Sequence, residues 1–397
     1  MSKYTFWISL FLAVGLPLTL LAQAPSSALV EHLPHINASA LMKKAQSGNI
    51  QSQTRLAIAY EFGKGVDQNI PEAVKWYRQA ADSGDPDAQN NLGYLYQTGP
   101  DSIKNLDEAA KWYLRAATDG NSTAQFNLGL LYLRGEGLTK SPTDAAYWIQ
   151  RSADAGYPKA LAAMGYMYSV GQGMPKDPEK AFKLAKMAAK KNDPSALAML
   201  GTFYAQGIGV PADPVQSFRW YKKAADAGDA TAYYGLGVLY EKGRGVPRDV
   251  KQAVQQYRIA AAAGSVQAQA VLGEIYELGE GVKADYQEAV AWYRKAVDQG
   301  DTQSATRLAS LFFRGEKIEW NLPEAIKLWT WAAQLGNSRA QFDLAEMYMT
   351  GSGVQRNLQK AYSLFTLAGR ELNVSKQLGQ LSAMMTTTNG HNAENSN

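Results

Sequence analysis

The 397-residue chain contains no cysteine. Disulfides, thiolate metal sites and a lipid-modified cysteine behind a leader are thereby excluded. Histidine is almost missing too: His32, His35 and His391 are the only three, and none lies between residues 38 and 372. That stretch therefore holds no Ser-His-Asp triad, no Cys-His pair and no typical zinc site. His32 and His35 read as a solvated linker pair rather than a metal site. No serine has a lysine three residues later, so the nucleophile of penicillin-binding proteins is absent. Nor is there an excess of one charge, because 40 basic and 36 acidic side chains leave +4. So even a balance offers no concentrated phosphate-neutralising surface, and nucleic acid is not expected as a partner. Carboxylates are plentiful, but most fall at helix caps or on solvated faces, and no catalytic acid pair is assigned. No catalytic residue, metal ligand or cofactor site is expected.

Long hydrophobic runs are lacking after the first. Lys3 precedes an apolar stretch from Tyr4 to Ala22, followed by Gln23 and Ala24. A basic start, an apolar middle and an A-x-A ending read as a secretory signal over residues 1–24, with residues 25–37 as a linker. The expected destination is the periplasm or the exterior, with no membrane attachment after cleavage. The stretch is also long enough to span a bilayer, so an uncleaved inner-membrane anchor is the alternative. Gly15 and Pro17 interrupt it and favour cleavage.

What the chain has is a period. Tyr60, Tyr96, Tyr132, Tyr168, Tyr204, Tyr240, Tyr276, Phe312 and Tyr348 stand 36 residues apart without an insertion. Three residues before each lies a small residue: Ala57, Gly93, Gly129, Gly165, Gly201, Gly237, Gly273, Ala309 and Ala345. Such a period marks an array of stacked supersecondary units rather than one globular core. Within a unit, Ala88, Leu92, Leu95 and Tyr96 recur at helical spacing, and Gly99 ends that helix. A second helix opens at Asn105, turns Ala109, Trp112, Tyr113, Ala116 and Ala117 inward, and closes at Gly120. The position of Asn105 is filled elsewhere by Asn69, Ser141, Asp177, Asp213, Asp249, Asp285, Asn321 and Asn357, all good N-cap residues. Closing glycines such as Gly84, Gly228 and Gly336 suit a left-handed C-cap. The recurrent G-x-G reads as turn geometry, because it lacks a third glycine and a preceding strand. The tryptophans Trp76, Trp112, Trp148, Trp220 and Trp292 read as core.

The unit A-x-x-x-L-G-x-x-Y-x-x-G-x-G-V…A-x-x-W-Y-x-x-A-A-x-x-G, clearest in residues 232–264 and 268–300, resembles the Sel1-like repeat, a relative of the tetratricopeptide repeat. The resemblance implies an all-α, right-handed α-solenoid superhelix of about nine 36-residue helix-turn-helix repeats. Residues 38–51 are expected as an N-terminal capping helix, 52–372 as the repeats and 373–385 as a C-terminal capping helix. Residues 386–397 are expected as a disordered tail. Repeats 4, 8 and 9 depart from the pattern: Leu184-Ala185 replaces Trp-Tyr, Asn192 and Leu372 replace closing glycines, and Gly315-Glu316-Lys317 replaces G-x-G. Weaker local stability is expected there.

The resemblance implies that the first helices line a concave groove. The groove positions then lie three before, and one, four and five after, the small residue. They yield the candidate partner-binding residues Tyr94, Phe126, Leu130, Leu133, Tyr166, Tyr234 and Val238, with Glu241, Glu274 and Glu277 as an acidic part. Phe313, Phe342, Glu346 and Met349 continue the series. Aromatic residues that a core does not need are common interface anchors. The expected function is a non-enzymatic exported adaptor or scaffold holding a protein or peptide, such as an envelope or host protein. The alternative is a cell-wall-peptide binder, or a β-lactamase-like protein of the cysteine-rich Sel1-like type.

Overall fold

The computed structural model describes residues 38–394, with side chains as far as Thr386. The expected signal and linker lie outside the described residues. Among those described, the chain is all helix and turn, and it divides between Asp229 and Ala230 into two units, residues 38–229 and 230–394.

The first unit begins with a lone helix, α1 (Ala38–Gln46). Five helix pairs follow: α2 (Ile50–Phe62) with α3 (Ile70–Asp82), α4 (Pro86–Thr98) with α5 (Leu106–Thr118), and α6 (Ser122–Arg134) with α7 (Pro142–Asp154). The fourth and fifth pairs are α8 (Pro158–Val170) with α9 (Pro178–Ala189) and α10 (Pro194–Gln206) with α11 (Pro214–Asp226). The second unit holds four pairs: α12 (Ala230–Lys242) with α13 (Val250–Ala262), α14 (Val266–Leu278) with α15 (Tyr286–Asp298), α16 (Thr302–Arg314) with α17 (Leu322–Gln334), and α18 (Ser338–Thr350) with α19 (Leu358–Ala368). A last helix, α20, runs Ser375–Glu394, so residues expected as a disordered tail are helical as far as Glu394. The first pair starts at Ile50, two residues before the expected boundary, because the Asn49 side chain caps it by accepting from the Ser52 N–H at 2.8 Å.

Three contacts build each pair. The first is polar: all nine residues at the Asn105 position cap their helix, accepting a backbone N–H three residues on at 2.9–3.3 Å. The same residue's own N–H donates to the carbonyl of the periodic tyrosine, or of Phe312, at 2.8–3.1 Å in every repeat. This bond fixes the length of the turn between the two helices.

The second contact is steric. A Cβ added to Gly93, Gly201, Gly237 or Gly273 would fall 2.5–2.8 Å from the ring of Tyr113, Tyr221, Tyr257 or Tyr293, respectively. The helices of a pair thus approach until a ring lies on bare backbone. Those rings are buried, and so is Tyr77 in the first repeat. Burying such a side chain contributes roughly 2–3 kcal/mol. The deep aromatic of the Trp-Tyr pair is therefore the tyrosine. Trp112, Trp148, Trp220 and Trp292 are only half-buried, which corrects the expectation that the tryptophans form the core; Trp76 alone among them is buried. A cation covers several of these indoles: Lys223 lies 4.7 Å from the Trp220 ring and Lys295 3.9 Å from Trp292.

The third contact joins successive repeats. Gln53, Gln89, Gln125, Gln269 and Gln341 donate from Nε2 to the carbonyls of Ala45, Ala81, Ala117, Ala261 and Ala333 in the preceding helix, at 3.1–3.2 Å. The G-x-G turns lock in beside them. In Gly207-Ile208-Gly209 both glycines are left-handed, and a Cβ on Gly209 would lie 2.0 Å from the carbonyl oxygen of Pro178 in the preceding repeat. Gly99 is instead extended, with φ −69° and ψ 179°, because Pro100 follows it and disfavours helical geometry.

The closing glycine is different in kind. At Gly84, Gly120, Gly228, Gly264 and Gly300 φ is 85–93°, yet an added Cβ would meet nothing within 4 Å. Only the backbone conformation asks for glycine there, which lets Asn192 serve with φ 57°, the one non-glycine at positive φ among the described residues. Asn192→Gly should leave stability unchanged or raise it by a few tenths of a kcal/mol, and Asn192→Ala should lower it by about 1 kcal/mol. Urea unfolding followed by circular dichroism checks both. By contrast, Gly237→Val forces side-chain atoms onto Tyr257 and should cost about 3 kcal/mol. The same urea midpoint reads it, and an unchanged midpoint refutes the close approach.

Candidate functional site

The first helices carry the expected binding face, and the structure sorts its residues into two groups. Phe126, Leu130, Leu133 and Tyr234 are buried, so they cannot serve as an open binding surface. The reason is local packing. The Phe126 ring lies 5.5 Å from that of Tyr157, the residue that leads into α8, and Tyr234 lies 5.6 Å from the core ring of Tyr257. The position three before the small residue meets neighbouring elements in most repeats, for Thr54, Asn90 and Thr306 are buried there as well. Tyr94, Tyr166 and Val238, one residue after the small residue, are half-buried, as are Glu241, Glu274 and Glu277.

The three glutamates have structural bonds. The Tyr257 hydroxyl donates to Glu241 at 2.6 Å, and the Tyr293 hydroxyl donates to Glu277 at 2.7 Å. The position four after the small residue is thus the polar partner of the core tyrosine sixteen residues on. Glu61 serves Tyr77 at 2.7 Å and Gln97 serves Tyr113 at 3.1 Å in the same way. In three repeats with an apolar deep residue the partner is apolar too: Leu133 goes with Ile149, Phe313 with Trp329 at 5.4 Å, and Met349 with Phe365; in repeat 4 Ser169 stands opposite Ala185 and donates to the Tyr166 carbonyl at 2.7 Å. Tyr221 has Ala205 at that place and bonds Thr202 instead, at 2.8 Å.

In the second unit Arg307 gathers the acidic residues. Its guanidinium lies 2.7 Å from Glu274 and 3.7 Å from Glu277. Burial raises the Glu274 carboxyl above the usual range, with Arg307 opposing it. In the first unit an amide chain takes the comparable place. Asn127 donates to Asn90 at 3.1 Å and Asn90 to Asn91 at 3.2 Å, all three buried. Arg307, Asn91 and Asn127 stand two residues before the small residue, a position outside the face read from the sequence. Among the described residues no group of three potential metal-binding side chains occurs. The arrangement offers hydrogen bonds, rings and ion pairs to a ligand.

Glu61 is the most perturbed carboxyl of the series. Burial pushes it up to about 7, partly offset by the Tyr77 hydrogen bond. Its folded-state value lies above the unfolded one, so the folded chain holds the proton more tightly. Stability is then highest below about pH 4.5 for this group and falls as pH rises towards 7. The full swing is on the order of 3 kcal/mol. Glu61→Gln, which copies Gln97 of the next repeat, should remove this slope and leave the first repeat more stable at pH 8. Amide hydrogen exchange of α2 and α3 at pH 5 and pH 8 measures it; equal slopes in wild type and variant would refute it.

No curated protein matches the chain. Solved structures that match it over most of its length include two bacterial proteins. One is c5321, a protective antigen present in uropathogenic Escherichia coli strains and displaying an SLR fold; it is 28% identical, with a TM-score of 0.59 over 87% of this chain and 82% of that one. The other is a Sel1 repeat protein from Oxalobacter formigenes, 29% identical, with a TM-score of 0.57 over 86% of this chain and 99% of that one. Solenoids of Sel1 and tetratricopeptide-like repeats are generally non-catalytic scaffolds that bind protein partners. The Sel1 repeat model matches nine consecutive segments, 50–85, 86–121, 122–157, 158–193, 194–229, 230–265, 266–301, 302–337 and 338–371. With these nine repeats folded as helix pairs, the chain belongs to the Sel1 repeat family.

Proposed function

We propose that this protein is an exported, non-enzymatic adaptor that holds a protein or peptide partner on the face of its first helices. One observation carries the reading. The position after the small residue is occupied by Ile58, Tyr94, Leu130, Tyr166, Thr202, Val238, Glu274, Ser310 and Glu346. Caps, deep rings and turn bonds recur around it, while its chemistry changes from repeat to repeat. Ile58 and Leu130 are buried at this position, and Thr202 and Glu274 are bonded to Tyr221 and Arg307, so recognition can be written at its half-buried aromatic members. Tyr94 and Tyr166, both half-buried in the first unit, combine area, rigidity and a polar tip, the properties of interface anchors. Export rests on the sequence of residues 1–24.

The Tyr94→Ala/Tyr166→Ala variant should keep its helical circular dichroism, since neither ring is one of the deep core tyrosines. In-cell crosslinking of tagged protein in periplasmic and culture fractions should capture a discrete protein with wild type and at least tenfold less with the variant. Equal capture by both forms would remove the face from consideration. Recovery of the chain from the cytosol alone would overturn export, and capture of glycan fragments without protein would favour cell-wall binding.

A further inference from the structure

The second helix of repeat 4 stands apart in charge. Lys180, Lys183, Lys186 and Lys190 follow one another at spacings of three, three and four, so they share one helical face, and Lys191 follows. All five are exposed, and from Lys180 to Asn192 there is no acidic residue. In three other second helices a lysine is ion-paired: Lys75 with Glu72 at 3.1 Å, Lys111 with Glu108 at 2.8 Å and Lys327 with Glu324 at 3.8 Å. Lys183, Lys186, Lys190 and Lys191 make no ion pair among the described residues. Like charges at these spacings oppose the helix by a few tenths of a kcal/mol each, while Lys186 and Lys190, at its C-terminal end, also meet the favourable end of the helix dipole.

At the end of this helix lies a cleft of about 530 Å³. Leu197 and Trp220 supply apolar wall, and Lys186, Lys190 and Lys223 supply three ammonium groups, with Asp226 the one carboxylate. Asn192 in its left-handed turn closes one side. Lys223 lies against the Trp220 ring, 4.7 Å from its centre, which sets its charge beside the apolar wall. The cleft is too small for a folded domain and large enough for one or two side chains.

We propose that this cleft, formed by repeats 4 and 5, binds an acidic peptide segment of a partner protein, an apolar side chain entering between Leu197 and Trp220 while flanking Asp or Glu side chains meet Lys186, Lys190 and Lys223. Charge complementarity selects the acidic flanks, and the apolar wall selects a peptide over a bare anion. The cleft is built by α9, the turn after it and α11, with Leu197 of α10, four residues before the small residue Gly201, in its wall; its occupant is additional to a partner at Tyr94 and Tyr166, and either surface can fail while the other stands.

The test uses the full chain and a fluorescein-labelled Asp-Glu-Phe-Glu-Asp peptide, followed by anisotropy at low and moderate salt. Binding should weaken with salt, since it rests on unscreened charge. Lys186→Glu/Lys190→Glu/Lys223→Glu should weaken it at least tenfold, and Lys186→Gln/Lys190→Gln/Lys223→Gln by an intermediate factor. Lys43→Glu/Lys104→Glu/Lys140→Glu, which makes the same change of net charge at exposed sites elsewhere, should bind within twofold of wild type. The proposal is overturned by any of three results: no binding to wild type, equal binding of Asn-Gln-Phe-Gln-Asn, or triple-variant affinity within twofold of wild type. Inorganic polyphosphate binding more tightly than the peptide through the same three lysines would identify a simple polyanion site and overturn it as well.

Discussion

The repeat rests on the approach of two helix backbones to the thickness of one aromatic ring. Glycine or alanine in the first helix leaves the gap, and Tyr77, Tyr113, Tyr221, Tyr257 or Tyr293 fills it. Everything else in the pair accommodates that fit. The ring brings a hydroxyl into a dry interior, where an unpaired polar group is costly, so an acceptor must be placed beside it. Glu61, Gln97, Glu241 and Glu277 are that acceptor. The side chains that look most like a charged binding face are thus, in part, the consequence of choosing tyrosine rather than phenylalanine for the core.

The period, the helix ends and the small residues could be read from the sequence because they are local. A cap needs a residue type at one place, and a left-handed turn needs glycine or, as at Asn192, a tolerant substitute. The candidate face was only partly legible, for a physical reason. Which side of a first helix is covered depends on the elements that follow it, and Tyr157 over Phe126 is a contact that no spacing within one helix announces. The pairing of position 61 with position 77, and of their equivalents, was present in the sequence as covariation between repeats. It becomes visible only when Leu133 with Ile149 and Phe313 with Trp329 are aligned beside the Glu-Tyr pairs. The buried Gln53, Gln89 and Gln125 read as polar helix surface until their bonds to the preceding helix are seen.

A division of labour follows. Deep positions conserve volume and satisfy hydrogen bonds, and they leave little room for specificity. Positions at the margin of the packing, such as Tyr94 and Tyr166, and exposed positions such as Lys183 and Lys186, are free to differ. Arg307 sits between these classes: it neutralises two carboxylates that would otherwise repel, and it remains about one-third exposed.

The backbone bond from each second-helix cap to the periodic tyrosine carbonyl has a consequence for how such a chain can change over generations. One added or lost residue in that turn would break the bond and rotate the second helix off the ring. The gene can therefore lengthen or shorten this array most readily by duplicating or deleting a whole 36-residue segment. That is the kind of event unequal recombination between near-identical stretches produces, and it would carry a recognition residue along intact with the frame that holds it.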